Sequence, residues 1–173
     1  MSRTTYSEEL NFVSLTVVDW IDVFTRWKYS DCIIKNLQYC QANKGLNIYA
    51  YVLMTNHLHM IADTEIESLS SILRDFKGFT CNELVKMIEE NSQESKKSWM
   101  LNKFRQYGSA NKDNITYQFW QNGNYPVALY WNKVIDQKVK YIHQNPVRAG
   151  FVDRADKYHY SSANPNSPLD VVF

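Results

Sequence analysis

Two apolar runs separated only by Thr55 and Asn56 occupy residues 46–62, and this pair constrains the fold more than any other stretch. Residues 46–54 are apolar on both faces of a strand, with Ile48, Ala50, Val52 and Met54 opposed to Tyr49, Tyr51 and Leu53. That pattern suits a central strand covered from both sides, so a mid-sheet position is expected. Thr55 and Asn56 form a turn signal, and residues 57–62 read as the returning antiparallel strand of a hairpin.

The flanking segments extend the pattern. Residues 12–24 read as a strand in which Val13, Leu15 and Val17 alternate with Ser14, Thr16 and Val18. A helix then starts at Ser30 or Asp31, carries Ile33, Ile34, Leu37 and Cys40 on one stripe, and ends at Asn43, Lys44 and Gly45. A second helix starts near Glu67, places Leu69, Ile72, Leu73 and Phe76 together, and continues through Leu84, Met87 and Ile88 despite Gly78. Residues 91–114 are polar and basic and read as a loop. A short strand is expected over 126–130, then a helix over 132–144 that Pro146 stops. The order strand, helix, strand, strand, helix, strand is the split βαβ pattern of an α+β, ferredoxin-like antiparallel sheet, with one helix added near the C-terminus. A single domain over residues 1–173 is expected, its core spanning about residues 12–152, with a tail that contains Pro165 and Pro168 lying extended over the surface.

Composition narrows the function classes. The three cysteines, Cys32, Cys40 and Cys81, form no CxxC pair, which speaks against a disulfide scaffold or a cysteine zinc site and for a reducing, cytoplasmic setting. No signal-peptide pattern is seen at the start and no apolar stretch approaches a membrane span, so a soluble protein without a membrane partner is expected. The net charge of +1 hides an asymmetry: residues 1–95 carry eight basic and thirteen acidic groups, residues 96–173 eleven and five. A positive C-terminal half points to a polyanionic partner.

Two constellations carry chemistry. His57 and His59 are two apart on a strand and project from one face, while Leu58 and Met60 enter the core on the other. Two converging neutral imidazoles are a candidate metal pair. On the C-terminal helix, at about 100° per residue, Ile135, Val139 and Ile142 form the buried stripe, and Tyr141 and Asn145 stand one turn apart on a more polar face. Lys138, three residues before Tyr141, either favours phenolate or attracts a phosphate. His143 is about 200° away from Tyr141 and is the poorer partner. A tyrosine acts as a nucleophile when a cation and a metal-polarised electrophile are near. Two histidines and one amide oxygen make a neutral three-ligand set with places left for phosphate and water.

At these residues the chain resembles the REP-associated tyrosine transposases and related single-strand insertion-sequence transposases of the HUH superfamily. The resembling parts are residues 51–61, 77–80, 119–121, 141–152 and 160–162, among which the run Tyr-Ile-His-Gln-Asn-Pro-Val-Arg-Ala-Gly at 141–150 is the most specific. The resemblance implies His57 and His59 as ligands of Mg²⁺ or Mn²⁺, Tyr141 as the nucleophile, and Asn145 in a third-ligand position where relatives often have Gln. Gln144 and His143 are the alternatives for that position. The implied reaction is transesterification of single-stranded DNA at hairpin elements through a 5′-phosphotyrosine and a free 3′-OH, needing no ATP. The lack of a GxxxxGK[ST] loop agrees with that. Family members act as monomers or dimers, so a homodimer is open.

DNA contacts are expected from Lys138, Arg148, Lys103, Arg105 and Lys112, with Lys96 and Lys97 beside them. Tyr117, Trp120, Tyr125 and Trp131 either stack on unpaired bases or belong to the core. Two other classes fit the same residues: a non-catalytic DNA-hairpin-binding protein of the same family, and a metal-dependent hydrolase using water. The second is disfavoured because no carboxylate sits near either motif as a general base.

Overall fold

A computed structural model describes residues 9–113, 115–124 and 126–172. Strands β1 (Leu10–Thr16), β2 (Leu46–Leu53), β3 (His57–Thr64) and β4 (Val127–Leu129) form one antiparallel sheet in the order β2-β3-β1-β4. Helices α1 (Trp27–Lys44), α2 (Leu69–Glu90), α3 (Lys97–Ala110) and α4 (Asn132–Arg148) complete it. This is the expected α+β architecture. The side chains of Val13, Leu15, Leu58 and Met60 on one face pack with Ile33, Leu37, Ile72 and Leu73 of α1 and α2. The other face, through Ala50, Val52 and Ile61, packs on Ile142 of α4, with Ile135 and Val139 at its margin.

β2 is not central: it lies at the sheet's edge. Its two-faced apolar pattern arises because helices cover both faces and the C-terminal segment covers the edge. The Leu53 amide donates to the Tyr160 carbonyl at 2.8 Å, the Ser162 amide to the Tyr51 carbonyl at 3.0 Å, and the Val172 amide to the Ile48 carbonyl at 2.8 Å. Backbone groups that would invite another strand are thereby occupied. The tail does more than lie on the surface, since Leu169 joins the main core at 2% exposure. A bulge between Ile48 and Ala50 shifts the strand's parity. It puts Ile48 on the face of Tyr51 and Leu53 and leaves Ala50, Val52 and Met54 on the other.

Three further expectations change. The first strand ends at Thr16, where two short 3₁₀ turns, Val18–Trp20 and Val23–Thr25, take over. The basic stretch expected as a loop contains α3, whose Met100, Leu101 and Phe104 enter the core. Pro146 does not stop α4, which continues to Arg148 with the proline ring buried and ends at Gly150, whose φ of 79° is the left-handed conformation glycine adopts freely. Asn114 and Tyr125, the latter a candidate stacking residue, lie outside the described residues. Among the described residues no helix is long and apolar enough to cross a membrane.

Candidate active site

The site forms where β1, β3 and α4 meet. Alternation along β3 sends Leu58 and Met60, both fully buried, into the main core and turns His57 and His59 toward α4. Their ring centroids are 4.6 Å apart. From α4, Tyr141 brings its ring to 5.6 Å from that of His59, and Asn145 Nδ2 lies 3.5 Å from His57 Nε2. Residues separated by more than eighty positions thus converge, and the helical i, i+4 spacing that pairs Tyr141 with Asn145 matches the spacing of the two histidines.

Each imidazole is held from behind. Asn56 Nδ2 donates to the Trp20 carbonyl at 3.3 Å and to Asp22 Oδ1 at 3.1 Å, which fixes the orientation of the amide. Its Oδ1 therefore accepts from His57 Nδ1 at 2.7 Å, and Nε2 of His57 keeps its lone pair toward Asn145. His59 Nδ1 pairs with Ser14 Oγ at 2.7 Å, Ser14 standing directly opposite in the β1–β3 register. The His59 ring is stacked on Phe12 at 5.3 Å. Such backing groups set ring orientation in metal sites. Burial lowers the pKa of His57. Burial, then the neighbouring His57, Lys138 and Arg148, lower that of His59 to about 3, so both rings are neutral donors at pH 7.

Among the described residues no three His, Cys, Asp or Glu side chains converge. A cation bound here would rely on two imidazoles, the Asn145 amide and oxygens from outside the chain. A half-turn of the Asn145 amide presents its oxygen, the donor that hard divalent ions take. The donor set is neutral and fits such an ion. Gln144 and His143, the alternative third ligands, are on the opposite flank of α4. There His143 Nε2 bonds Ser162 Oγ at 2.7 Å and both line a groove with Lys140 and Arg154.

Of the basic residues, Lys138 and Arg148 are at the site. Lys138 Nζ lies 4.4 Å from the Phe12 ring and 5.5 Å from that of Tyr141. The Arg148 guanidinium is 4.6 Å from the Tyr141 ring and donates to the Tyr141 carbonyl at 2.9 Å. Lys103 pairs with Asp19 at 3.0 Å, and Arg105 donates to Tyr117 Oη at 2.9 Å. Lys112 is exposed in the turn after α3, and Lys97 Nζ donates to the Glu89 carbonyl at 2.8 Å. Trp120 is core, bonding Thr80 Oγ1 through its indole N–H at 2.9 Å, whereas Trp131 is exposed.

The sequence reading missed Ser14, Asn56, Asp22 and Trp20. Ser14 carried a signal, a polar residue alternating with Val13 and Leu15; the others sit in turns with no period to reveal them. Asp19 and Trp20 both adopt left-handed backbone, φ 56° and 51°. For residues with a β-carbon this costs about 1–2 kcal/mol each. The turn is held there by Val17 and Val18, both fully buried, with the Val18 amide bonded to the Phe119 carbonyl at 2.9 Å.

No family model matches the sequence, and no curated protein matches it. A solved structure of a REP-associated tyrosine transposase bound to a REP hairpin is similar, with a TM-score of 0.63 and 17% identity, over 94% of this chain and 81% of that one. The α+β sheet-and-helix fold described above is therefore one this chain shares with that transposase.

Proposed function

We propose that the chain is a single-stranded DNA transposase or nuclease that cleaves and rejoins DNA at hairpin elements through a 5′-phosphotyrosine on Tyr141. The observation that carries this reading is the meeting of Tyr141 and Asn145 with His57 and His59, an exposed phenol beside two neutral imidazoles and an amide. The fold it shares with a transposase solved on a hairpin supports the same reading.

In this reading His57, His59 and Asn145 hold Mg²⁺ or Mn²⁺, which when bound supplies polarisation of the scissile phosphate. Tyr141 Oη attacks phosphorus; one P–O bond forms and the bond to the 3′ oxygen breaks. The phenol proton leaves through solvent and the 3′ oxygen departs as a hydroxyl. Bond energy is retained in the phosphotyrosine, so reversal with another 3′-OH rejoins strands without ATP. Lys138 and Arg148, flanking the Tyr141 ring, offset the charge of the phosphate. The hydrogen bonds from Asn56 and Ser14 behind the two imidazoles keep their rings from turning as DNA enters.

The test is a set of hairpin oligonucleotides labelled 3′ of the candidate cleavage site, incubated with Mg²⁺ or Mn²⁺ and resolved on a denaturing gel. A labelled protein adduct in wild type that is absent in Tyr141→Phe, in His57→Ala and in EDTA supports the proposal. Cleavage without adduct that persists in Tyr141→Phe assigns a water-using hydrolase instead. Retention of hairpins with neither product assigns a binding protein.

A further inference from the structure

We infer that Trp20 is a base-stacking residue that receives one unpaired nucleotide beside the scissile phosphate; this rests on the single-strand DNA reading above. Trp20 is 59% exposed, in a turn that buried Val17, Val18 and Ile21 hold in place. Its ring stands edge-on to His57 at 6.0 Å, so Tyr141, His59, His57 and Trp20 form one continuous run of rings. An exposed large apolar ring held in unfavourable left-handed backbone is a feature the fold maintains against a local preference, and such positions cluster at ligand sites.

The surroundings of the indole choose its occupant. The side chains paired in this turn are polar: Asp19 pairs with Lys103, and Asp22 and the Trp20 carbonyl accept from Asn56. A single exposed indole in a polar turn offers too little area for a stable protein interface. It does match one nucleobase, whose face stacks on an aromatic ring irrespective of sequence. Lys103, paired with Asp19 at 3.0 Å, neutralises the carboxylate of the residue next to Trp20 in the chain, so a backbone passing here meets no uncompensated charge from that residue. The Trp20 carbonyl also accepts from Asn56, coupling the turn to the group that orients His57.

The experiment uses the full chain with Mn²⁺ and hairpins whose single-stranded flank carries an abasic nucleotide at successive positions, with adduct formation followed for KM and kcat. Wild type is expected to lose about 5- to 100-fold at one flank position, mostly in KM. Trp20→Asn, which tolerates left-handed backbone, should show that loss on the intact flank and none beyond it at that abasic position. Trp20→Phe should recover most of the affinity. Abasic penalties that persist undiminished in both variants, or a loss confined to kcat, would overturn the inference and make the indole a support for His57. A change in elution volume on Trp20→Asn, with abasic penalties intact, would assign the ring to a contact between copies. Wild type that neither retains nor reacts with any hairpin defeats the functional reading, and the inference with it.

Discussion

His59 gives a prediction whose size follows from its surroundings. Its folded pKa is about 3, set first by burial and then by His57, Lys138 and Arg148, whereas an unfolded histidine titrates near about 6.5. Because the folded value is the lower one, stability is full above about pH 6.5 and falls as pH drops through the window toward 3. In that window the unfolded chain binds a proton that the native chain refuses. Between pH 7 and pH 5 the loss from this one group is about 2 kcal/mol, at about 1.36 kcal/mol per pH unit. The assay is urea unfolding of the metal-free protein in EDTA at both pH values, for wild type and His59→Asn, whose amide can still reach Ser14. Wild type should lose about 2 kcal/mol more than the variant. Equal losses in the two proteins would refute the argument that His59 is buried neutral against its cationic neighbours.

Two glycines predict opposite signs. A Cβ at Gly108 would sit 2.5 Å from the Ile115 carbonyl oxygen and 2.8 Å from that of Thr116, so Gly108→Ala should destabilise by about 1–3 kcal/mol in thermal melts. At Gly78, inside α2, nothing lies within 4 Å of that position, and Gly78→Ala should stabilise by about 0.5–1 kcal/mol through helix propensity. Deleting residues 159–173 uncovers the β2 edge and removes Leu169 from the core; size-exclusion chromatography should then show self-association beyond that of the full chain at the same concentration. Asn56→Ala frees the His57 ring, and adduct yield at limiting Mn²⁺ should fall about 10- to 100-fold and recover at high Mn²⁺.

Much of the site was legible because it depends on local periods. The two-residue repeat of a strand turned His57 and His59 to one side, and the helical repeat paired Tyr141 with Asn145 and Lys138 while sending His143 away. The residues that orient the histidines escaped notice for the opposite reason. Asn56 and Asp22 lie in turns, where neighbours in sequence do not share a face and hydrogen-bond partners come from distant segments. Helix α3 does not stand out in the sequence because its buried apolar side chains, Met100, Leu101 and Phe104, make a short stripe interrupted by Asn102 and Lys103 and flanked by polar and basic segments. Only packing against the sheet layer makes that stripe count.

Side-chain periodicity along a few turns of chain was enough for the order of the four strands and of every α-helix but α3, for the inward and outward faces of most of them, and for the residue types that could meet at one site. Tertiary structure decided what periodicity cannot express. It placed β2 at an edge and sealed that edge with the C-terminal segment, put a bulge at Ile48 and Ala50, and carried α4 past Pro146. Each of those outcomes depends on which backbone groups and apolar faces find partners far away in the chain, and a strand buried by neighbours on three sides looks the same in sequence whichever neighbours they are.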